Sequence, residues 1–115
     1  MEEFTLERDG QPPLSFQGSR LGHASSRAPG KSRWFEVGIY RTASGRYVVH
    51  GLGASEVPGE TTRGWAQVVD AGADVVSALY RHGTDGPYLT RTSKDALADA
   101  AAVDGGIAGA YVVRL

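Results

Sequence analysis

Apolar and polar residues alternate along the first half of the chain, whereas in the second half apolar residues recur every three to four positions. That switch of period predicts strands followed by helices. Phe4 and Leu6, then Leu14 and Phe16, bracket Asp9-Gly10-Gln11-Pro12, where a glycine free to take positive φ and a proline with preset φ favour a turn, so a first hairpin is expected. Residues 22–32 (GHASSRAPGKS) are small, polar and aperiodic, and read as an exposed loop.

The strongest local pattern follows. Arg33 to Thr42 and Arg46 to Ser55 flank Ala43-Ser44-Gly45, which suits a type I turn closed by a left-handed glycine. Pairing Thr42 with Arg46 sets Ile39 opposite Val49, Val37 opposite Gly51, Phe35 opposite Gly53 and Arg41 opposite Tyr47, and this side is the expected core. The other side carries Trp34, Glu36, Tyr40, Val48, His50 and Leu52, a mixture suited to a half-covered or open face. After a turn at Val57-Pro58-Gly59-Glu60, a further short strand is expected over 63–69.

From Asp70 the period becomes helical. Val75, Val76, Leu79 and Tyr80 share a face, and Gly83 would end a helix over about 71–82. Thr84-Asp85-Gly86-Pro87 reads as a loop, and Thr92 or Ser93 as the cap of a helix beginning at Lys94, with Asp95 completing a capping box. Ala96, Leu97, Ala100 and Ala101 form a small-residue face, interrupted by Asp104-Gly105-Gly106. Ile107, Tyr111 and Leu115 favour a last helix over the strand that Tyr111-Val112-Val113 suggests. The predicted fold is a single α+β domain over residues 1–115, an antiparallel meander of three to five strands packed on one face by two or three C-terminal helices.

Composition narrows the chemistry. A chain of 115 residues typically buries roughly two thirds of its unfolded surface, enough for one modest core. Cysteine is absent, which excludes disulfides and thiolate chemistry and makes the cytoplasm the expected compartment. The acidic start Met1-Glu2-Glu3 and the lack of a long apolar run give no reason to expect export or a membrane span. Net charge is −1, but it is unevenly distributed: Gly10 to Phe35 holds four cations and no acid, and Asp70 to Asp104 holds six aspartates against three cations. Ten of the twelve cations are arginine, a bias that a GC-rich genome produces as readily as selection for binding.

No familiar catalytic or metal motif is present. None of His23, His50 and His82 has another histidine at helical metal-ligand spacing, so a metal site would have to be assembled by the fold. Ser25 to Ser32 approaches a phosphate-binding loop, but a strand follows where a helix would be needed. No nucleophile elbow occurs; Glu36/Glu60 and Asp95/Asp99 are candidate carboxylate pairs, of which the second, four apart on a solvent-facing helix side, suits solvation better than catalysis. No cofactor is expected.

One surface stands out. Arg20, Arg27, Lys31 and Arg33 surround a strand that carries Trp34 and Tyr40 on one side, a set able to meet a protein partner or to stack on and neutralise nucleic acid. The expected function is therefore a non-catalytic binding or accessory domain with a protein partner, ahead of a weak nucleic-acid binder and then a small hydrolase. A homodimer through an open strand edge or the alanine-rich helix is a further option.

Overall fold

The computed structural model describes all 115 residues. Five strands, β1 (Glu2–Arg8), β2 (Gln11–Ser25), β3 (Arg33–Thr42), β4 (Tyr47–Ser55) and β5 (Arg63–Val69), form one antiparallel sheet in chain order. They are followed by α1 (Gly72–Leu79), a two-stranded hairpin of β6 (Arg81–Gly83) and β7 (Gly86–Tyr88), α2 (Arg91–Ala101) and α3 (Gly105–Tyr111). The architecture is the α+β meander covered by C-terminal helices that the change of period predicts. No helix is long and apolar enough to cross a membrane.

The turns obey the expected chemistry. Gly10 (φ 69°) and Gly45 (φ 88°) adopt the left-handed conformation that closes the β1–β2 and β3–β4 hairpins. Arg41 pairs with Tyr47, Ile39 with Val49, Val37 with Gly51 and Phe35 with Gly53, the register read from the sequence.

The sheet curls into a half-barrel. The register of β2 against β3 shifts between Arg20 and Gly22, an irregularity of the kind that sharpens twist. Strands β1 and β5 consequently approach at one end, where the Asp9 N–H donates to the Gly64 carbonyl at 2.9 Å. On the convex side Val37, Ile39, Tyr47 and Val49 pack against Val75 and Leu79 of α1, Ala96, Leu97 and Ala100 of α2 and Ile107 of α3. Inside the curl a smaller cluster joins Leu6, Tyr40 and Val48 to Phe4, Leu14, Phe16, Ala66 and Val68.

Curling decides how the two faces are covered. The side carrying Trp34, Tyr40 and Val48 is not open: these residues are buried on the concave surface. Phe35, expected in the core, is 52% exposed because the helices end short of it. The alanine face of α2 is buried against the sheet.

Segment boundaries also move. Strand β2 continues to Ser25, so the expected loop over 22–32 is confined to 26–32. The first helix ends at Leu79 with Tyr80 extended, and residues 81–88 form the small hairpin, in which Gly86 and not Gly83 takes positive φ. The cap of α2 is Thr90, whose Oγ1 accepts the Ser93 N–H at 3.1 Å, displacing Thr92 and Ser93 from that role. Asp104 caps α3 through the Ile107 N–H, so the Asp104-Gly105-Gly106 interruption is itself a helix start, and the helix stops at Tyr111.

Candidate functional site

The loop between β2 and β3 faces the loop between β4 and β5, and opposite charge joins them. Arg27 Nη2 donates to Glu56 Oε1 at 2.7 Å, and Arg33 Nε donates to Glu60 Oε1 at 2.7 Å. Glu60 also accepts from Ser55 Oγ at 2.6 Å, and the Arg33 and Ser55 donors pull its carboxyl down to about 2. The Glu56 N–H donates to the Ser32 carbonyl at 2.9 Å, so the two loops form the walls of one cleft of about 780 Å³. Trp34 forms its floor, capped by Arg27, whose guanidinium carbon lies 4.4 Å from the indole centroid. The Trp34 indole N–H donates to Glu36 Oε2 at 2.8 Å.

The six residues singled out from the sequence divide into two groups. Lys31, Arg33 and Trp34 line this cleft and Arg27 covers the Trp34 ring, with Lys31 Nζ donating to the Ser26 carbonyl at 3.2 Å. Tyr40 lies six residues farther along β3, about 20 Å at the rise of an extended strand. Its ring is enclosed by Phe4 and Phe16, with centroids 4.9 Å and 5.4 Å away, and burial raises its hydroxyl pKa. Arg20 pairs in register with Tyr40 and is exposed, so both lie away from the loop cleft.

A second cleft, of about 690 Å³, adjoins the first at the uncovered end of the sheet. Its walls bring together Phe35, Trp65, Tyr80, Arg63, Arg81 and the start of α2, and it shares Phe35, Gly53 and Arg63 with the loop cleft. Trp65 lies flat over Gly51, where any Cβ would run into the indole ring. Arg81 stacks over Phe35 at 5.0 Å. Sequence reading missed this site, although a signal was present: Gly51 and Gly53 opposite Val37 and Phe35 leave a side-chain-free floor on the convex face.

The concave face carries a polar cluster that no helical spacing announces. His23 Nε2 lies 3.3 Å from Glu36 Oε1, and His50 pairs in register with Gly38 beside them. No three carboxylate or imidazole side chains converge here or elsewhere in metal-ligand geometry. Burial pushes the His50 imidazole below its ordinary value, assisted by His23 and opposed by Glu36. A depressed histidine pKa stabilises the fold above the unfolded value of about 6.5 and loses that contribution as pH falls through the folded value. His50→Gln is therefore expected to flatten the loss of stability as pH falls below about 6.5 in urea titrations, and the His50 ring should titrate below about 6.5 by NMR. An unchanged pH slope in the variant would contradict this.

No protein-family model, curated protein or solved structure matches the chain.

Proposed function

We propose that this chain is a non-catalytic binding domain that engages a protein partner through the basic β2–β3 loop and the uncovered end of the sheet. The observation that carries this reading is Phe35, half exposed and central between the two clefts, with Lys31, Arg33, Arg63 and Arg81 around it. An aromatic anchor inside a polar rim is the arrangement in which a few residues supply most of a protein–protein binding energy. The pairing of Arg27 with Glu56 and of Arg33 with Glu60 favours protein over nucleic acid, because a phosphate backbone would have to displace carboxylates to reach these cations. A chain without cysteine suits the reducing cytoplasm.

The test places a photoreactive amino acid at position 35 in the native cell and identifies the cross-linked protein. Against that protein Phe35→Ala is expected to weaken binding by about thirtyfold, the effect of losing an interface anchor, while shifting stability by less than about 1 kcal/mol because the side chain is exposed. Equal binding by the variant would refute the reading. Oligonucleotide binding that falls steeply with salt and is lost in Lys31→Glu would replace it with the nucleic-acid alternative.

A further inference from the structure

We propose that the cleft between the uncovered sheet end and the start of α2 binds an aromatic phosphate of mononucleotide size, its ring against Trp65 and Tyr80 and its phosphate on the first turn of α2. The cleft of about 690 Å³ has the volume usual for small-molecule sites. Helix α2 is eleven residues long and has no acidic residue in its first turn. Thr90 takes two of the amides at this end, the Ser93 N–H through its hydroxyl and the Lys94 N–H through its carbonyl. The Arg91 and Thr92 N–H groups remain without acceptors in the chain, the arrangement that receives anions at helix starts.

A second, independent feature points to the same place. Ser93 is 4% exposed and stands on the cleft wall, yet its hydroxyl has no hydrogen-bond partner in the protein. A hydroxyl left free on the cleft wall beside two free amides is a donor set for an oxyanion. Across the cleft Arg81 has no carboxylate partner and is held over Phe35, and His82 follows it. The carboxylates on the walls are already engaged, Asp9 with Arg63 at 3.8 Å and Glu36 with Trp34 and His23.

The aromatic half of the site is built as firmly. The Trp65 ring rests on the bare backbone of Gly51, its indole N–H has no acceptor, and it is 41% exposed. Tyr80, 43% exposed, lines the same cleft from the end of α1. Exposed indole and phenol rings beside cations are what a planar base stacks upon. This site shares Phe35, Arg63 and Arg81 with the partner surface, but its test is separate, since neither Trp65 nor Ser93 is needed for cross-linking at position 35.

The experiment is a ¹⁵N NMR titration of the whole chain with AMP and UMP, and in parallel with adenosine and inorganic phosphate. AMP or UMP is expected to move the Trp65 indole and the Arg91 and Thr92 amides together, with half-saturation below about 1 mM. Adenosine and phosphate should each bind at least about tenfold more weakly, and Ser93→Ala and Arg81→Gln should each weaken the mononucleotide about tenfold while leaving the remaining spectrum in place. The proposal is overturned if neither nucleotide moves these signals at about 10 mM, if adenosine or phosphate binds as tightly as the nucleotide, or if both variants bind it unchanged.

Discussion

Asp104→Ala is expected to lower stability by about 3 kcal/mol, and to lower the melting temperature by about 12 °C for a domain of this length. Three donors converge on this carboxylate, whose side chain is 3% exposed. The Ile107 N–H donates at 3.0 Å and makes Asp104 the cap of α3, Tyr47 Oη donates at 2.8 Å from β4, and Arg41 Nη1 donates at 3.0 Å from β3. Alanine removes the cap, worth about 1 kcal/mol, and leaves the hydroxyl of the buried Tyr47 without a partner, which costs about 1–3 kcal/mol more. Arg41 is half exposed, so its share is the smallest. Tyr47→Phe removes one donor without stranding another and should cost only about 1 kcal/mol. Urea denaturation of the two variants decides the matter: equal losses would mean that the Asp104 carboxylate does not organise this junction.

The same group predicts the acid limb. Burial raises the Asp104 pKa, but the Ile107 amide, Tyr47 hydroxyl and Arg41 guanidinium outweigh it, and the carboxyl ends below its ordinary value. A depressed carboxyl pKa contributes stability that is present above the unfolded value of about 3.9 and is lost as pH falls through the folded value. Asp104→Ala should therefore be less stable than the parent at pH 7, and the gap should narrow below about pH 3.9. A gap that stays constant with pH would sink this assignment.

The strand register and the order of elements were legible because they follow from local chemistry. Gly45 dictates one turn, and once Thr42 is set against Arg46 every partner along β3 and β4 follows from a period of two. Alternation also states which residues share a face, but it does not say toward which face a sheet curls. It places Trp34 and Tyr40 on one side and Phe35 on the other, yet the curl set by the β2 irregularity and the meeting of Asp9 with Gly64 buries the first side and leaves the end of the second open. The helix starts slipped for a similar reason. Thr90, Thr92 and Ser93 can all cap, and choosing among them depends on where the hairpin of β6 and β7 releases the chain.

The candidate site was legible only in its cations. Arg27 and Arg33 are visible in a stretch without acids, but Glu56 and Glu60, which pair with them, come from a loop about thirty positions later that only the hairpin of β3 and β4 brings across. Trp65, Arg81 and Ser93 come from three separate elements, and no spacing links them. Gly51 and Gly53 stand opposite Val37 and Phe35, and the bare backbone of Gly51 is the floor on which Trp65 lies.

Gly22→Ala is expected to cost about 3 kcal/mol, although the position looks like loop in the sequence and carries no side chain to lose. Gly22 is buried on β2, opposite Ile39, where the register shift turns it toward α2. The helix approaches so closely that a Cβ at Gly22 would run into the Ala96 carbonyl oxygen and the Ala100 amide nitrogen. These are backbone atoms, so no rotamer change relieves the clash, and α2 must lift from the sheet. Lifting it opens the core around Leu97, Ala96 and Ala100, all fully buried, and removes the bond from the His23 N–H to Asp99 Oδ2 at 3.3 Å. The alanines of α2 thus act with Gly22: small residues on both sides let helix and strand backbones meet. Gly109→Ala is the control, because a Cβ there meets open space within α3, and it should stabilise the fold by about 0.5–1 kcal/mol through helix propensity. Chemical denaturation of both variants, with amide exchange at His23, separates the two effects. If Gly22→Ala folds as stably as the parent with His23 still protected, α2 does not rest on the β2 backbone.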